Sequence, residues 1–271
     1  MRGEPNAPAR IDRLRILGGE VDAVTPAQVL ALVDRRIAEH VQTVIANHNL
    51  HSLYLLRRSA AMRAFYDRAD LVEADSTPMI LWGRLLGLPI SRSHRCTYLD
   101  WREAFWSLAR QRNWRVFYLG GEPGVAGAAA EAIARRWPGV SISVRHGRFD
   151  TAAEGPDNAA VLADIADAGP DVLFVGMGMP RQEAWIIENL DRLGPCVVFS
   201  VGAAFDYEAG AIPTPPRWTG RLGLEWLFRL ASEPRRLFAR YLVEPWSLIG
   251  PAMSDLVVAS NRRPGHGAGP P

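Results

Sequence analysis

One acidic residue in this sequence is placed to take part in proton transfer. Asp75 follows the apolar residues Leu71 and Val72 by a few positions, in the sequence Ala-Asp-Ser-Thr-Pro. A carboxylate in a loop at the end of a strand can accept a proton from a hydroxyl nucleophile within hydrogen-bonding distance. Helix capping is the alternative, because Asp, Ser and Thr before Pro78 and an apolar run form a good helix start. Asp75 is therefore a candidate general base or a candidate cap.

A second polar cluster follows the apolar residues 43–46 and contains Asn47, His48, Asn49 and His51. Asparagine amides can hydrogen-bond the hydroxyl groups of a sugar, and asparagine is also a common helix cap. The two histidines allow either part of a metal site or ordinary polar contacts. The cluster thus indicates a ligand site or the start of a helix.

Glycines form a turn between a predicted strand and an Ala-rich helix, at Gly120, Gly121 and Gly124. The N–H groups and dipole of a helix start can bind a phosphate or diphosphate. The turn departs from the dinucleotide pattern Gly-x-Gly-x-x-Gly, and the next strand ends in Arg145 and His146 instead of an acid that would bind a ribose. An ordinary tight turn accounts equally well for these glycines.

A further glycine turn, with Gly176 and Gly178, follows a continuous apolar run and leads into a charged helix start at residues 181–183. Glycine lets the backbone approach another chain or a ligand where a Cβ atom would clash. Ligands of open α/β sheets bind at the carboxyl ends of the strands. Arg181, Gln182 and Glu183 are thus candidates for contact with a polar ligand, and a solvated helix start is the alternative.

Apolar strands alternate with helical patterns along most of the chain. This alternation predicts an α/β fold, with a Rossmann-like parallel sheet and helices on both faces, over residues 13–215. Helical spacing covers residues 50–66 and 125–136. The predicted strands are residues 43–46, 70–73, 115–119, 140–144, 172–175 and 197–201.

The character of the sequence changes over residues 216–250, where arginines alternate with aromatic and aliphatic residues. Such basic amphipathic segments bind anionic membrane surfaces or phosphates. The alternative is a helical hairpin that covers the sheet edge and whose arginines are merely solvated. Residues 1–12 and 261–271 are predicted to be disordered.

The composition of the 271 residues is that of a globular protein with a formal net charge of +2. Cys96 and Cys196 lie far apart, which predicts neither a disulfide framework nor a zinc site. This cysteine usage favours a reducing, cytoplasmic setting. Neither a signal peptide nor a long apolar span is recognised. No Asp-x-Asp is present to hold a divalent metal on a nucleotide sugar. If that is the ligand, arginines and helix starts must stabilise the leaving diphosphate.

Several of these motifs occur in one order that resembles the WecG/TagA/CpsF family of bacterial glycosyltransferases (glycosyltransferase family 26), over residues 16 to 245. The matching blocks are Ala69-Asp-Leu-Val-Glu-Ala-Asp75, Val116-Phe-Tyr-Leu-Gly-Gly-Glu-Pro-Gly124, Val175-Gly-Met-Gly-Met-Pro-Arg-Gln-Glu183, Val201-Gly-Ala-Ala-Phe-Asp206 with Ala209-Gly210, Gly223-Leu-Glu-Trp-Leu-Phe-Arg229, Glu233-Pro-Arg-Arg236 and Arg240-Tyr241.

The resemblance implies an inverting glycosyltransferase that needs no metal and works at the cytoplasmic face of the membrane. It implies a UDP-sugar donor, a polyprenyl-diphosphate-linked acceptor, no cofactor and no nucleic-acid partner, and it leaves a homo-oligomer open. Asp75 becomes the general base. The diphosphate-binding residues are Arg229, Arg236 and Arg240, and the substrate-binding residues are Asn47, Asn49, Gly120, Gly121, Gly176, Gly178, Gln182, Glu183 and Asp206.

Two departures from the family pattern affect the choice of substrate. Asn47-His48-Asn49 stands where the family often has Thr-x-Asn, and Asp75-Ser76 where it usually has Asp-Gly. Both glucose-type and N-acetylmannosamine-type donors stay open. The sequence Asn-His-Asn-Leu-His-Ser-Leu resembles exopolysaccharide members of the family. Two other functions are a nicotinamide-dependent oxidoreductase, suggested by the glycine turns, and a non-catalytic membrane-surface adaptor, suggested by the basic aromatic segment.

Overall fold

The computed structural model describes residues 11–262, without the side chains of Arg217, Arg221, Leu222 and Arg262. The prediction of disorder concerns residues 1–12 and 261–271. Residues 1–10 and 263–271 lie outside the described part of the chain. Residues 261 and 262, in contrast, belong to a helix.

Six parallel strands form the central sheet, and all six were predicted to within a few residues. The strands are β3 (Thr43–His48), β4 (Leu71–Ala74), β5 (Arg115–Gly120), β6 (Ser141–Arg145), β7 (Val172–Gly176) and β8 (Val197–Ser200). Their order across the sheet is β4-β3-β8-β7-β5-β6. The two central strands β7 and β8 are buried over their whole length, as continuous apolar runs predict.

Helices cover both faces of the sheet, because alternate strand residues point to opposite sides. One apolar cluster contains Ile45, Phe174 and Phe199, and the other contains Val44, Val175 and Val198. The first face is covered by α1 (Pro26–Ala38), α5 (Tyr98–Arg112), α6 (Val125–Arg136) and α9 (Ala204–Glu208). The second is covered by α2 (Leu50–Leu56), α3 (Ala60–Arg68), α4 (Thr77–Leu85), α7 (Pro156–Ala168) and α8 (Arg181–Asn189).

The single helical pattern predicted over residues 50–66 is wrong, since the structure has the two helices α2 and α3 there. The hydroxyl of Ser59 accepts a hydrogen bond from the Met62 amide (3.3 Å), so Ser59 caps a new helix. Side-chain caps of this kind start helices because they satisfy a free N–H group. The apolar spacing continues across the break, which explains why periodicity alone missed it.

An antiparallel hairpin of β1 (Arg13–Ile16) and β2 (Gly19–Asp22) lies beside the edge strand β4, and the sequence did not predict it. The Asp22 carboxylate accepts hydrogen bonds from the Val72 amide (2.8 Å) and from the Arg13 guanidinium (2.9 Å). These contacts satisfy an amide that would otherwise be exposed at the sheet edge. The hairpin thereby holds the strand that leads to Asp75.

Short helical segments form the C-terminal part of the chain. The Asp255 carboxylate in the last helix accepts hydrogen bonds from the Leu17 amide (2.7 Å) and the Trp82 indole (3.0 Å), which fixes this helix to the body. None of the helices within residues 11–262 is both long and apolar enough to cross a bilayer. The segments are α10 (Arg217–Leu222), α11 (Glu225–Ser232), α12 (Pro234–Phe238), a π-helical turn (Ala239–Val243), a 3-10 turn (Glu244–Leu248) and α13 (Ile249–Arg262).

Candidate active site

A cavity of about 470 Å³ lies at the carboxyl ends of the strands, beneath the C-terminal helices. It is the kind of concave site where ligands of parallel sheets bind. Most of the residues predicted from the sequence reach its wall, and Gly120, Gln182 and Glu183 do not. Those that line it are Asn47, Asn49, Asp75, Gly121, Gly176, Gly178, Asp206, Arg229, Arg236 and Arg240.

A second cavity of about 250 Å³ adjoins the first, between α4 and the C-terminal segment. Its wall contains the apolar surfaces of Trp226, Tyr241 and Pro245. Both cavities share the polar residues at their junction, so a group there can meet ligands from either side. The shared residues are Asn49, Asp75, Arg229 and Arg240.

Asp75 lies at this junction, directly after β4. Its amide donates to the carbonyl of His48 (2.9 Å), and one carboxylate oxygen lies 3.5 Å from the Asn49 amide nitrogen. The residue at the capping position of α4 is Ser76, which makes no side-chain cap bond, so the capping interpretation of Asp75 is not supported. Burial raises the pKa of Asp75 above its ordinary value, opposed by the positive charges of Arg95 and Arg229, the Asn49 hydrogen bond and Arg240.

The two asparagines have structural partners as well as access to the cavity. The amide of Asn47 donates to the carbonyl of Ser200 (2.6 Å) and thereby joins the ends of β3 and β8. The Asn49 side-chain oxygen accepts from the Ser52 amide (3.1 Å), which confirms the cap alternative for Asn49. Its amide nitrogen faces Asp75. Asn49 thus starts α2 and helps to orient the Asp75 carboxylate.

The two histidines make ordinary polar contacts. His48 stacks on Tyr66 with ring centroids 3.8 Å apart, and its Nδ1 hydrogen-bonds the Ser52 hydroxyl (2.8 Å). Burial lowers the pKa of His48 to about 3, so the ring is neutral at physiological pH. His51 hydrogen-bonds the Glu244 carboxylate. Across residues 11–262, no three His, Cys, Asp or Glu side chains are grouped as metal ligands would be.

The glycine turns shape the wall through their lack of a side chain. A Cβ atom on Gly176 would lie 2.6 Å from the carbonyl oxygen of Gly202, so only glycine permits this approach of β7 to the loop after β8. Gly178 has φ of +81°, a left-handed conformation that glycine adopts without strain. Gly120 packs behind the wall against Gly176, while the next residue, Gly121, faces the cavity.

Gln182 and Glu183 lie behind the wall, fully buried. The side-chain oxygen of Gln182 accepts hydrogen bonds from the amides of Gly178 (3.1 Å) and Gly202 (3.2 Å). Its amide group donates to the Glu183 carboxylate (2.7 Å), and burial raises the pKa of Glu183 to about 7. Direct ligand contact was predicted for both residues. The structure instead gives Gln182 the role of joining the two loops that form the wall.

Two arginines from the C-terminal segment face the junction without a carboxylate partner in the described part of the chain. The Nε atoms of Arg229 and Arg240 are buried and have no hydrogen-bond partner among residues 11–262. Burial lowers the pKa of Arg240, and the positive charge of Arg229 contributes to that shift. Arg236, in contrast, binds the Glu233 carboxylate. Two partly buried cations that interact with Asp75 only through charge, without a carboxylate hydrogen-bonded to them, are suited to bind a further anion.

Asp206 enters the first cavity from α9, directly after β8. Burial raises the pKa of its carboxyl group, while the positive charge of Arg236 opposes the rise. Across the cavity mouth, the Arg148 guanidinium donates to the Glu122 carboxylate (2.8 Å), a pair that the sequence did not predict. The cavity therefore has a polar mouth, a glycine wall and a cationic junction.

Comparison with known proteins identifies the family. The model of the glycosyl transferase WecG/TagA/CpsF family matches residues 14–262. The chain belongs to this family. Two relatives, from Staphylococcus aureus strains MW2 and NCTC 8325 / PS 47, are described as N-acetylglucosaminyldiphosphoundecaprenol N-acetyl-beta-D-mannosaminyltransferases. Each is 27% identical over 239 residues, which cover 84% of this chain and 87% of the relative. The protein is thus a glycosyltransferase, which excludes the oxidoreductase and adaptor alternatives.

Two charged residues of this glycosyltransferase were missed by sequence reasoning. Arg95 lines the second cavity and forms ion pairs with Asp100 (3.3 Å) and with Glu225, so it connects the body to α11. Nothing in its sequence spacing indicates this position. Glu73 lines the first cavity from β4. The sequence does contain a signal for Glu73, because a charged residue inside a buried apolar strand is unusual. This acid also lies only two residues before Asp75.

The contacts of Gln182 predict a loss of stability in a Gln182→Leu variant. Two partly buried amides lose their acceptor, so we expect the free energy of unfolding to fall by about 2 kcal/mol. Denaturant unfolding followed by circular dichroism measures this change. Glu188→Leu, on the exposed side of the same helix α8, is the matched control and should leave stability nearly unchanged. Equal stability of the two variants would show that Gln182 does not join the loops.

Proposed function

We propose that this glycosyltransferase moves a hexosyl group from a UDP-sugar to a polyprenyl-diphosphate-linked saccharide, with inversion and with Asp75 as general base. The observation that carries the proposal is the position of Asp75, which lies where the two cavities meet. A base at such a junction can take the proton of an acceptor hydroxyl that enters from one cavity while this hydroxyl faces the anomeric carbon of a donor held in the other.

The first cavity suits the donor. Its volume of about 470 Å³ is in the usual range for small-ligand sites, and the glycine turns at Gly121 and Gly178 let backbone N–H groups approach a ligand. Asp206 offers a carboxylate to hydroxyl groups of a nucleoside. Arg229 and Arg240 face the side nearest Asp75, where the diphosphate of a nucleotide sugar would lie during transfer.

The second cavity suits the acceptor. It opens among the C-terminal helices and is lined by Trp226, Tyr241 and Pro245, surfaces that an isoprenoid or a pyranose ring can pack against. The two relatives are named for their action on N-acetylglucosaminyldiphosphoundecaprenol. That name supports a lipid-diphosphate acceptor for this chain as well.

The reaction follows from this arrangement. Asp75 takes the proton of an acceptor hydroxyl, and the hydroxyl oxygen forms a bond to the anomeric carbon. The bond from that carbon to the diphosphate oxygen breaks on the opposite face, and its electron pair leaves with UDP. Arg229, Arg236 and Arg240 neutralise the charge that develops on the leaving diphosphate. One displacement at one carbon gives inversion.

The donor sugar is of glucose or N-acetylmannosamine type, and the relatives' name favours the second. The product would belong to a cell-surface polysaccharide, and the resemblance to exopolysaccharide members rests on the sequence near Asn47 alone.

A panel of UDP-sugars, incubated with the protein and with polyprenyl-diphosphate-linked N-acetylglucosamine, tests the proposal by product mass. One added hexosyl or N-acetylhexosaminyl mass is the expected result. No transfer from any member of the panel would contradict it.

Contact with the cytoplasmic membrane surface is the second part of the proposal. Large apolar side chains are exposed on the C-terminal segment, among them Phe238 and Trp246, which is 71% exposed. The exposed Arg235 nearby, which lines neither cavity, can bind anionic lipid headgroups. This surface would bring the second cavity to the lipid that carries the acceptor.

A Phe238→Ser, Trp246→Ser double variant should bind membranes about tenfold more weakly, because both apolar side chains lose their burial in the lipid interface. Sedimentation with vesicles that contain phosphatidylglycerol measures the change. Val41→Ser, before the amino end of β3 and therefore at the opposite edge of the sheet, is the control. Unchanged binding of the double variant would exclude this surface as the membrane contact.

A further inference from the structure

Glu73 is a buried acid at the wall of the first cavity that the proposed reaction does not use. It is only 3% exposed, and its Oε1 has no hydrogen-bond partner among residues 11–262. A buried polar atom without a partner is rare in folded proteins and calls for a physical explanation. A ligand group that enters the cavity would supply the missing partner.

The geometry of the sheet places Glu73 beside the reacting groups. In the parallel pair of β3 and β4, Asn47 is the register partner of Glu73. Side chains alternate along a strand, so Glu73 projects from the face that carries Leu71, and it lies near enough to Asp75 for the two carboxyl groups to interact through their charges. Trp101 of α5 packs on that face, with its ring 5.3 Å from Phe199, and it also lines the first cavity. The Trp101 indole lies close enough to Glu73 to act on its carboxyl group, yet neither its N–H nor Glu73 Oε1 completes a well-formed hydrogen bond among residues 11–262.

The surroundings of Glu73 favour the protonated form of its carboxyl group. Burial raises its pKa well above the ordinary value, and the negative charges of Asp75 and Asp100 raise it further, while the Trp101 indole opposes the rise. A protonated carboxyl group can both donate and accept a hydrogen bond. The indole N–H can only donate. Together the two side chains match a ligand group that accepts one hydrogen bond and donates another.

We propose that Glu73 and Trp101 form a subsite that binds one hydroxyl group of the donor's pyranose ring and so contributes to the choice of donor sugar. A hydroxyl accepts from the Trp101 indole and exchanges a second hydrogen bond with the Glu73 carboxyl. The inference rests on the proposed function, since it requires a nucleotide sugar in the first cavity.

The subsite belongs to the donor and not to the acceptor, because Glu73 and Trp101 line the first cavity and neither lines the second. Glu73 lies near Asp75, and Asp75 would lie beside the acceptor oxygen that attacks the anomeric carbon. A pyranose ring held with its anomeric carbon at Asp75 brings one of its hydroxyl groups into reach of a side chain two residues earlier. The nucleoside, in contrast, lies towards Gly121 and Asp206.

Calorimetric titration of the full chain with UDP and with UDP-sugars tests the subsite. In Glu73→Leu we expect the affinity for the preferred UDP-sugar to fall about tenfold, while the affinity for UDP stays within twofold. Glu73→Gln should keep the sugar affinity within threefold, because an amide also donates and accepts. Trp101→Phe, which keeps an aromatic ring and loses the N–H, should weaken sugar binding without affecting UDP.

Deoxy analogues of the donor identify the hydroxyl. For one deoxy-sugar nucleotide, Glu73→Leu should cause no further loss beyond that of the missing hydroxyl, since both changes remove the same interaction. Equal losses for UDP and UDP-sugar would reduce Glu73 to a structural role and overturn the subsite. Unchanged sugar affinity in Glu73→Leu and Trp101→Phe would also overturn it, with an ordered water as the partner of both side chains. If titration of the wild-type protein with every UDP-sugar gave only the heat of dilution, the proposed function itself would be overturned.

Discussion

Replacement of Asp75 by Asn is expected to lower kcat for sugar transfer about a thousandfold. Asn has the same shape as Asp but cannot take a proton from the acceptor hydroxyl, and general-base catalysis contributes about 10²- to 10⁴-fold to such reactions. The Asn49 amide lies 3.5 Å from the carboxylate and the Asp75 backbone is fixed to His48, so the cavity should keep its form. The affinity for the UDP-sugar should change less than threefold. Initial rates with saturating donor and acceptor give kcat.

Asp67→Asn is the control for this substitution, because Asp67 is exposed on α3 and lines neither cavity. Its kcat should equal that of the wild type. A folded Asp75→Asn protein with near wild-type turnover would show that another group takes the proton. A parallel loss of donor affinity would instead assign Asp75 to substrate binding.

The same residue sets the pH dependence of the reaction. The base must be deprotonated, so kcat/KM should fall about tenfold per pH unit below the pKa of Asp75 and level off above it. Burial raises that pKa above the ordinary value of an aspartate, and Arg95, Arg229, Asn49 and Arg240 limit the rise. The acidic limb of the profile should therefore lie above the range of an exposed aspartate. A flat profile down to pH 4 would contradict Asp75 as the base.

The sequence predicted the sheet and the edge at which the site lies because both depend on local patterns. Continuous apolar runs mark buried strands, and residues directly after them meet at one edge of a parallel sheet. Asn49 and Asp75 could be placed together on that basis alone. The strand order itself, with β8 between β3 and β7, depends on long-range packing that no local pattern records.

Other features depend on tertiary contacts and were not predicted. Gln182 follows a glycine turn, as a ligand-binding residue would, yet it bonds Gly202 from a different strand connection and thereby turns away from the cavity. Arg95 matters because α11 brings Glu225 to it across 130 residues of chain. The break between α2 and α3 depends on the Ser59 cap, a choice that apolar periodicity does not reveal.

The C-terminal segment completes the site instead of covering a finished one. It contributes Arg229 and Arg240 to the junction, and it is held to the body by Arg95 with Glu225 and by His51 with Glu244. The cations that would stabilise the leaving group and the apolar residues of the proposed membrane surface therefore lie on one segment. If that segment binds the membrane while it packs on the body, binding of the lipid-linked acceptor and assembly of the catalytic site would be coupled.

Removal of either junction arginine should therefore impair the chemical step. We expect Arg229→Ala and Arg240→Ala each to lower kcat/KM about a hundredfold, since loss of one preorganised donor to a developing charge costs about 10²- to 10³-fold. Both arginines lower the pKa of Asp75, so each variant should also move the acidic limb of the pH profile upward. The larger movement is expected for Arg229→Ala, whose charge acts more strongly on Asp75 than that of Arg240.

Two comparisons separate this role from packing. Arg110→Ala, exposed in the last turn of α5 and outside both cavities, should keep wild-type kinetics and the wild-type pH profile. Arg229→Lys and Arg240→Lys keep the charge, so their pH profiles should stay in place while kcat/KM falls, because lysine cannot reproduce the planar guanidinium contacts with a diphosphate. If the Ala variants lose activity but the acidic limb of their pH profiles does not move, these arginines do not act on the pKa of Asp75. Full activity in both Ala variants would show that Arg229 and Arg240 only pack the segment, and the leaving diphosphate would then depend on Arg236 and the glycine turns.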